Sequence, residues 1–179
     1  MIGRRLLGAA SLLFAACSSG SLPGTDAAVA MCGAEIPAGQ ACSALRAGSG
    51  VTPTCGTGAL PSGQGGTIVD GTYVLTALTY YSADTCPTFP LAETIALSGG
   101  CMQLAVGPPL TSTASGAFTV AGNSIAITTA CVHIEMDGAT VRQSAPVRTF
   151  TATGTTFTLF THDTSANPVA DDMAVFTRQ

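Results

Sequence analysis

From Thr67 to the end of the chain, apolar and polar residues alternate in short runs separated by turn-forming residues. A period of two is typical of strands that bury one face, and no stretch has the 3.6-residue period of a long amphipathic helix. The pattern therefore predicts an all-β domain over residues 67–179, an antiparallel up-and-down barrel or a sandwich of about eight strands. The predicted strands are Thr72–Tyr81, Glu93–Leu97, Cys101–Val106, Ala117–Val120, Ser124–Cys131, Val147–Thr153, Thr155–Thr161 and Met173–Arg178.

An internal repeat supports this interpretation. The segment Phe118–Ile127 aligns with Phe150–Leu159 at an offset of 32 residues. Each copy is predicted to be a hairpin that turns at Gly122 or Gly154, because glycine permits the positive φ of a tight turn. Two copies are too few for a solenoid, so we expect successive hairpins of one meander.

The N-terminus carries the pattern of an export signal. Arg4 and Arg5 precede an uncharged apolar stretch, Leu6–Ala16, of about the length of a signal-peptide core. The following Phe14-Ala-Ala-Cys17 resembles a bacterial lipobox, which implies a signal peptide over residues 1–16 and an acylated Cys17. Ser18 is not the Asp that retains lipoproteins at the inner membrane of enteric bacteria. The resemblance therefore implies a lipid-anchored protein of the cell envelope, at the outer membrane.

Residues 17–66 are rich in Gly, Pro and Ser and are predicted to form a tether before the β domain. Such a composition cannot bury enough apolar surface to offset the entropy of ordering the chain. Three cysteines nevertheless lie within it, which indicates that part of the tether is fixed to something.

Six cysteines remain once Cys17 is assigned to the lipid. Beyond the inner membrane thiols become oxidised, so three disulfides are expected. Three of the six lie in the tether and three in the β domain, so complete pairing requires at least one bond between the two. Spacing does not choose among the fifteen connectivities. A metal site is disfavoured because there is no Cys-x2-Cys pair and His133 and His162 are isolated. The disulfide candidates are Cys32, Cys42, Cys55, Cys86, Cys101 and Cys131.

Composition and charge limit the classes of molecule that the protein could bind. The chain is 46% hydrophobic and 9% charged, with six Arg, no Lys and a formal net charge of −4. No apolar run reaches the roughly 18 to 20 residues that cross a bilayer as a helix. Nucleic acids are poor candidate partners because the chain has no basic cluster. The membrane, through the lipid, and a small apolar ligand or an envelope protein remain, and the oligomeric state is left open.

Two family resemblances concern the β domain. Gly71-Thr-Tyr73 in the first strand and Phe176-Thr-Arg178 in the last resemble a lipocalin, in which a Gly-x-Trp packs against an Arg at the end of the barrel. The run Gly65–Thr76 is similar to uncharacterised lipoproteins of high-GC bacteria such as myxobacteria, which implies no activity. The first resemblance implies an interior that takes a small apolar ligand. The expected lining residues are Tyr73, Leu75, Phe118, Ile125, Ile127, Phe150, Phe157 and Leu159.

A protein-interaction or inhibitor role is the alternative, beside a purely structural one. Ala114-Ser-Gly-Ala-Phe118 resembles the Ser-Gly-x-x-Tyr loop of small lipoproteins that inhibit c-type lysozyme, which are also eight-stranded barrels. A protruding loop at Ser115 would favour that role, and an open cavity would favour ligand binding.

Catalytic motifs are absent from the sequence. There is no Gly-x-Ser-x-Gly elbow and no phosphate loop with Lys. His133 with Glu135, and His162 with Asp163, are interpreted as solvated pairs. Asp163, Asp171 and Asp172 have no spacing of a known Ca²⁺ loop and are interpreted as solubilising surface residues. We therefore expect no enzyme activity, no catalytic residues, no metal and no cofactor.

Overall fold

The computed structural model describes residues 32, 41–81, 86–109, 111–134, 147–164 and 170–179. The predicted signal peptide (1–16), the lipid-bearing Cys17 and most of the first half of the tether lie outside the described residues, as does Glu135.

Nine strands form one sheet whose order follows the chain. The last strand also pairs with the second, so strands two to nine close into an eight-stranded antiparallel up-and-down barrel. The first strand lies outside this barrel and pairs in parallel with the second. The strands are β1 (Thr54–Cys55), β2 (Gly71–Tyr80), β3 (Glu93–Ser98), β4 (Cys101–Val106), β5 (Ser112–Ala121), β6 (Ser124–Ile134), β7 (Val147–Ala152), β8 (Thr156–Asp163) and β9 (Ala170–Arg178).

The eight strands predicted from alternation are confirmed, and the pairing of β2 with β9 decides for a barrel over a sandwich. Two features differ from the prediction. β1 lies in the Gly- and Pro-rich tether, where alternation gives no signal. β5 begins at Ser112 instead of Ala117, because its first half consists of small residues with no apolar alternation.

The hairpin turns of the repeat differ from each other. Gly122 adopts a φ of 63°, as predicted for a tight turn. Gly154 does not have a positive φ, so the prediction for this turn is wrong in its mechanism. Here the Thr153 hydroxyl accepts hydrogen bonds from the backbone N–H groups of Thr155 and Thr156. Side-chain capping therefore replaces the left-handed glycine.

The barrel has two different ends. At one, which we call the turn end, the pairs β3–β4, β5–β6 and β7–β8 are joined by tight turns. At the other, the loop end, lie the last residues of β2, β4, β6 and β8 and the longer connections that follow them.

Four aromatic side chains fill the barrel toward the turn end. Tyr73, Phe150, Phe157 and Phe176 are almost completely buried, and their ring centroids lie 6.1 to 6.2 Å apart around Phe157. Such aromatic contacts add to the free energy gained by burial. This aromatic cluster makes the turn-end half of the barrel a solid core.

The tether is bonded to the barrel by three disulfides: Cys32–Cys101, Cys42–Cys131 and Cys55–Cys86. The expectation that at least one bond joins tether and β domain is confirmed, and all three do so.

Hydrogen bonds from the tether backbone also reach barrel threonines. Cys42 donates to the hydroxyl of Thr113, and Gly63 donates to that of Thr149. A Cβ on Gly63 would lie 2.4 Å from the carbonyl oxygen of Phe150, so this close approach requires glycine. The described tether residues are therefore ordered by their contacts with the barrel. Their Gly-, Pro- and Ser-rich composition would not order them alone.

Within the described ranges, no helix is long and apolar enough to cross a membrane.

Candidate functional site

A cavity of about 120 Å³ lies inside the barrel between the aromatic cluster and the loop end. Most of its lining is apolar and comes from strands all around the barrel. The apolar lining residues are Leu78, Leu91, Ala92, Ile95, Met102, Leu104, Val106, Ala114, Ile127, Leu159, Ala174 and Phe176.

Polar side chains occupy one side of this cavity. Tyr80, Glu93, Arg148, Thr161 and Asp172, which we call the polar wall, come from β2, β3, β7, β8 and β9, which are neighbours around the barrel. The opposite side, from β4, β5 and β6, presents mainly apolar side chains, with Ser115 and Thr129 as its polar members. The cavity thus has a charged side and a largely apolar side.

Sheet register brings the polar wall together. Thr161 lies opposite Asp172 and also opposite Arg148, and Tyr80 lies opposite Asp172 on the other edge of β9. Directly opposed residues on one face of a sheet are about 4.5 to 5.5 Å apart at Cβ. The register therefore places a phenol, a carboxylate, a hydroxyl and a guanidinium in one row across four strands.

Sequence reasoning missed this row, although a signal for it exists. Glu93 is in phase with Ile95, Arg148 with Phe150, and Asp172 with Ala174. Continuing the period-two pattern of inward-facing residues by one step at each strand would have placed all three polar side chains inside the barrel.

Burial perturbs the ionisation of the polar wall. Desolvation, followed by repulsion from Asp172, raises the pKa of Glu93 from its ordinary 4.5 to about 7. Desolvation likewise raises the pKa of Asp172 to about 7, against the attraction of Arg148 and a hydrogen bond from Thr161. Loss of hydration lowers the pKa of Arg148 to about 10. The pKa of Tyr80 is raised by burial and by the two carboxylates.

Two aspartates interpreted as solubilising surface residues are inside. Asp163 is only 3% exposed and its charge acts on Arg148, while Asp172 lines the cavity. That interpretation was wrong because both residues continue the inward-facing alternation of β8 and β9. The pairing of His162 with Asp163 is also wrong: Nδ1 of His162 is within hydrogen-bond distance of Oδ1 of Asp171 instead.

The stability of the barrel is expected to depend on Glu93 and pH. Because the pKa of Glu93 is higher in the folded than in the unfolded chain, the folded state binds more protons between about pH 4 and pH 7. This contribution is complete below pH 4 and is lost as the pH rises through 7. Relative to the native chain, Glu93→Gln should gain roughly 1 to 3 kcal/mol in free energy of unfolding between pH 5 and pH 8. Urea denaturation at both pH values measures it.

The control for this measurement is Asp70→Asn, which removes one charge from an exposed residue whose carboxylate accepts a hydrogen bond from Gly99. An Asn at this position retains an acceptor. A pH-independent difference between Glu93→Gln and the native chain would contradict the prediction.

The eight residues expected to line a ligand site are divided by the structure. Ile127 and Leu159 line the cavity. Five others belong to the buried core and Phe118 packs against it from a partly buried position; the five are Tyr73, Leu75, Ile125, Phe150 and Phe157.

The structure places the residues that carry the lipocalin and the lysozyme-inhibitor resemblances. Tyr73 lies opposite Arg178 in the sheet, and the Arg178 side chain covers Gly71. Ser115 is 2% exposed in the middle of β5 and is not in a protruding loop. The feature that would favour an inhibitor role at Ser115 is therefore not formed by these residues.

Among the residues that the structure describes, no group of three or more His, Cys, Asp or Glu side chains could hold a metal ion.

The strands β6 and β7 are joined in the described ladder at a single position, Ser124 opposite Thr149. Toward the loop end this seam lies beside Arg148 and the cavity.

The chain matches no protein-family model, and neither a curated protein nor a solved structure is significantly similar to it.

Proposed function

We propose that this protein is a lipid-anchored binding barrel of the cell envelope that takes one small molecule in its interior. The observation that carries the proposal is the cavity, with its apolar side facing a row of ionisable groups. Burying such groups beside an empty space costs stability, and ligand pockets characteristically combine an apolar lining with a few convergent polar groups.

The size of the cavity limits the ligand. Drug-sized ligands occupy pockets of about 300 to 1,000 Å³, whereas an apolar cavity of about 150 Å³ accepts benzene. A cavity of about 120 Å³ therefore fits a molecule of about four to six heavy atoms. A lipocalin-like role with a long apolar ligand is not supported by this volume, although the closed meander and the Tyr73–Arg178 pairing support a lipocalin-like barrel.

Filling the cavity is expected to abolish binding. Ala174 lines the cavity from β9, and Ala174→Leu would place three additional carbon atoms in it. The probe is 1-butanol, titrated into the full chain and followed by two-dimensional NMR. We expect saturable shifts at cavity residues in the native chain and at least a tenfold weaker affinity in Ala174→Leu.

The matched control is Val175→Leu, one residue along the same strand and outside the cavity lining. It should bind 1-butanol like the native chain. Equal binding by the native chain and Ala174→Leu would show that the probe does not enter the cavity.

Lipid anchoring has its own test. Cys17→Ser removes the thiol that the lipobox resemblance assigns to acylation. We expect this variant to lose fatty-acid labelling and to leave the membrane fraction, because the acyl chains that hold a lipoprotein to the bilayer depend on this cysteine. A Cys17→Ser protein that still sediments with membranes would refute the anchor.

A further inference from the structure

The polar wall carries an uneven set of charges. Glu93, Asp163 and Asp172 all act on the guanidinium of Arg148. Among the described residues, the two carboxylates on the cavity lining, Glu93 and Asp172, thus face one cation, Arg148, where water screens their repulsion poorly. A net negative charge in such a place requires either protons or a second cation.

The carboxylates differ in how they are satisfied. Asp172 has a hydrogen bond from Thr161. In the described part of the chain, no hydrogen bond reaches the carboxylate of Glu93, although Glu93 lines the cavity and is largely desolvated. A carboxylate on the cavity lining with no donor from the described residues is able to accept hydrogen bonds from a bound molecule.

Three kinds of ligand head group can be compared at this position. A carboxylate would add a third negative charge, and a hydroxyl would donate one hydrogen bond without changing the charge. An ammonium group would donate up to three hydrogen bonds and, together with Arg148, balance the charges of Glu93 and Asp172. Resting on the proposed binding function, we propose that the ligand is a small primary amine, bound as its ammonium ion at Glu93 and Asp172.

The opposite side of the cavity fits the remainder of such a molecule. Met102 and Leu104 on β4 and Ile127 on β6 present apolar side chains to the cavity, across the barrel from the polar wall. An alkyl chain of about four carbons would lie against them and be removed from water. Both the charged and the apolar part of the amine then have a matching surface.

Binding of an ammonium ion is coupled to the protons of the polar wall. Among the described residues, the titratable groups that line the site are Tyr80 on β2, Glu93 on β3, Arg148 on β7 and Asp172 on β9, and the charge of Asp163 on β8 acts on Arg148. With Glu93 and Asp172 titrating near 7, the ammonium competes with protons at lower pH. An alkylamine remains protonated to about pH 10, so its affinity should increase about tenfold from pH 6 to pH 8.

The experiment compares three probes of one size: n-butylamine, 1-butanol and butyrate. Each is titrated into the full, disulfide-bonded chain at pH 8, by calorimetry or NMR. We expect butylamine to bind at least tenfold more tightly than 1-butanol, and butyrate to bind most weakly. Glu93→Gln should reduce the preference of amine over alcohol to near unity, with Asp172→Asn as a second variant that tests the same site.

The control Asp171→Asn removes a charge from the neighbouring residue on the same strand, outside the cavity lining, and should leave the preference unchanged. If 1-butanol binds as tightly as butylamine, or if the preference survives both carboxylate substitutions, the amine proposal is overturned while the binding function stands. If none of the three probes binds, the binding function fails with it.

Discussion

Replacing Phe157 with Ala is expected to lower the free energy of unfolding by about 3 to 5 kcal/mol. Phe157 lies at the centre of the aromatic cluster, with ring contacts to Tyr73, Phe150 and Phe176. Its removal would leave a void that rigid strands on all sides of a closed barrel cannot collapse to fill. Urea denaturation with the disulfides intact measures the effect.

Val147→Ala is the matched control, because Val147 is a strand residue with 66% of its surface exposed. Exposed substitutions of this kind usually change stability by no more than about 0.5 kcal/mol. A loss for Phe157→Ala no larger than that of the control would mean that the aromatic cluster does not stabilise the barrel.

Removing the Cys42–Cys131 disulfide is expected to be the second large perturbation. This bond closes a loop with a sequence separation of 89 residues, against 31 for Cys55–Cys86. In the chain-entropy model, loss of a native disulfide costs about 2 to 5 kcal/mol, and the longer loop costs about 1 kcal/mol more than the shorter. The Cys42→Ala/Cys131→Ala pair should therefore destabilise more than Cys55→Ala/Cys86→Ala, measured by thermal unfolding.

The opposite order would contradict the entropic account and indicate that contacts around Cys55 dominate. Each double variant removes both partners of its bond, so it adds no unpaired thiol to the chain and disulfide exchange does not confuse the comparison.

Local pattern was sufficient for the strands but not for their closure. Alternation in Thr72–Tyr81 and Met173–Arg178 shows that both are strands, yet their pairing joins residues about 100 positions apart, such as Leu75 and Phe176. Alternation in either segment does not encode that contact. Alternation alone therefore left a barrel and a sandwich as alternatives, and the pairing of β2 with β9 decides for the barrel.

The candidate site was harder to predict because its polar residues occupy inward-facing strand positions, where the alternation pattern predicts apolar side chains. Inward-facing positions were expected to be apolar, so the predicted lining ended at Phe150 and Leu159 and did not include Arg148 and Thr161. Of the eight residues expected to line a ligand site, those nearest the turn end are core, since the aromatic rings fill that half of the barrel completely. The polar positions, which the pattern excludes, distinguish the cavity from the core.

Parity predicted that the tether must be bonded to the barrel, but the partners depend on the path of the tether over its surface. Counting cysteines required only one such bond. The structure has three because the tether extends along the barrel and is joined to it at Cys101, Cys131 and Cys86 in turn.

The Cys32–Cys101 disulfide also has a consequence for orientation. Cys101 directly follows the tight turn between β3 and β4, so this bond attaches the tether at the turn end. Cys32 lies 15 positions after Cys17, which corresponds to a contour length of at most about 50 Å. With lipid on Cys17, the tether would run to the bilayer from the turn end of the barrel. The cavity, which lies nearer the loop end, is then on the side of the barrel away from this point of attachment.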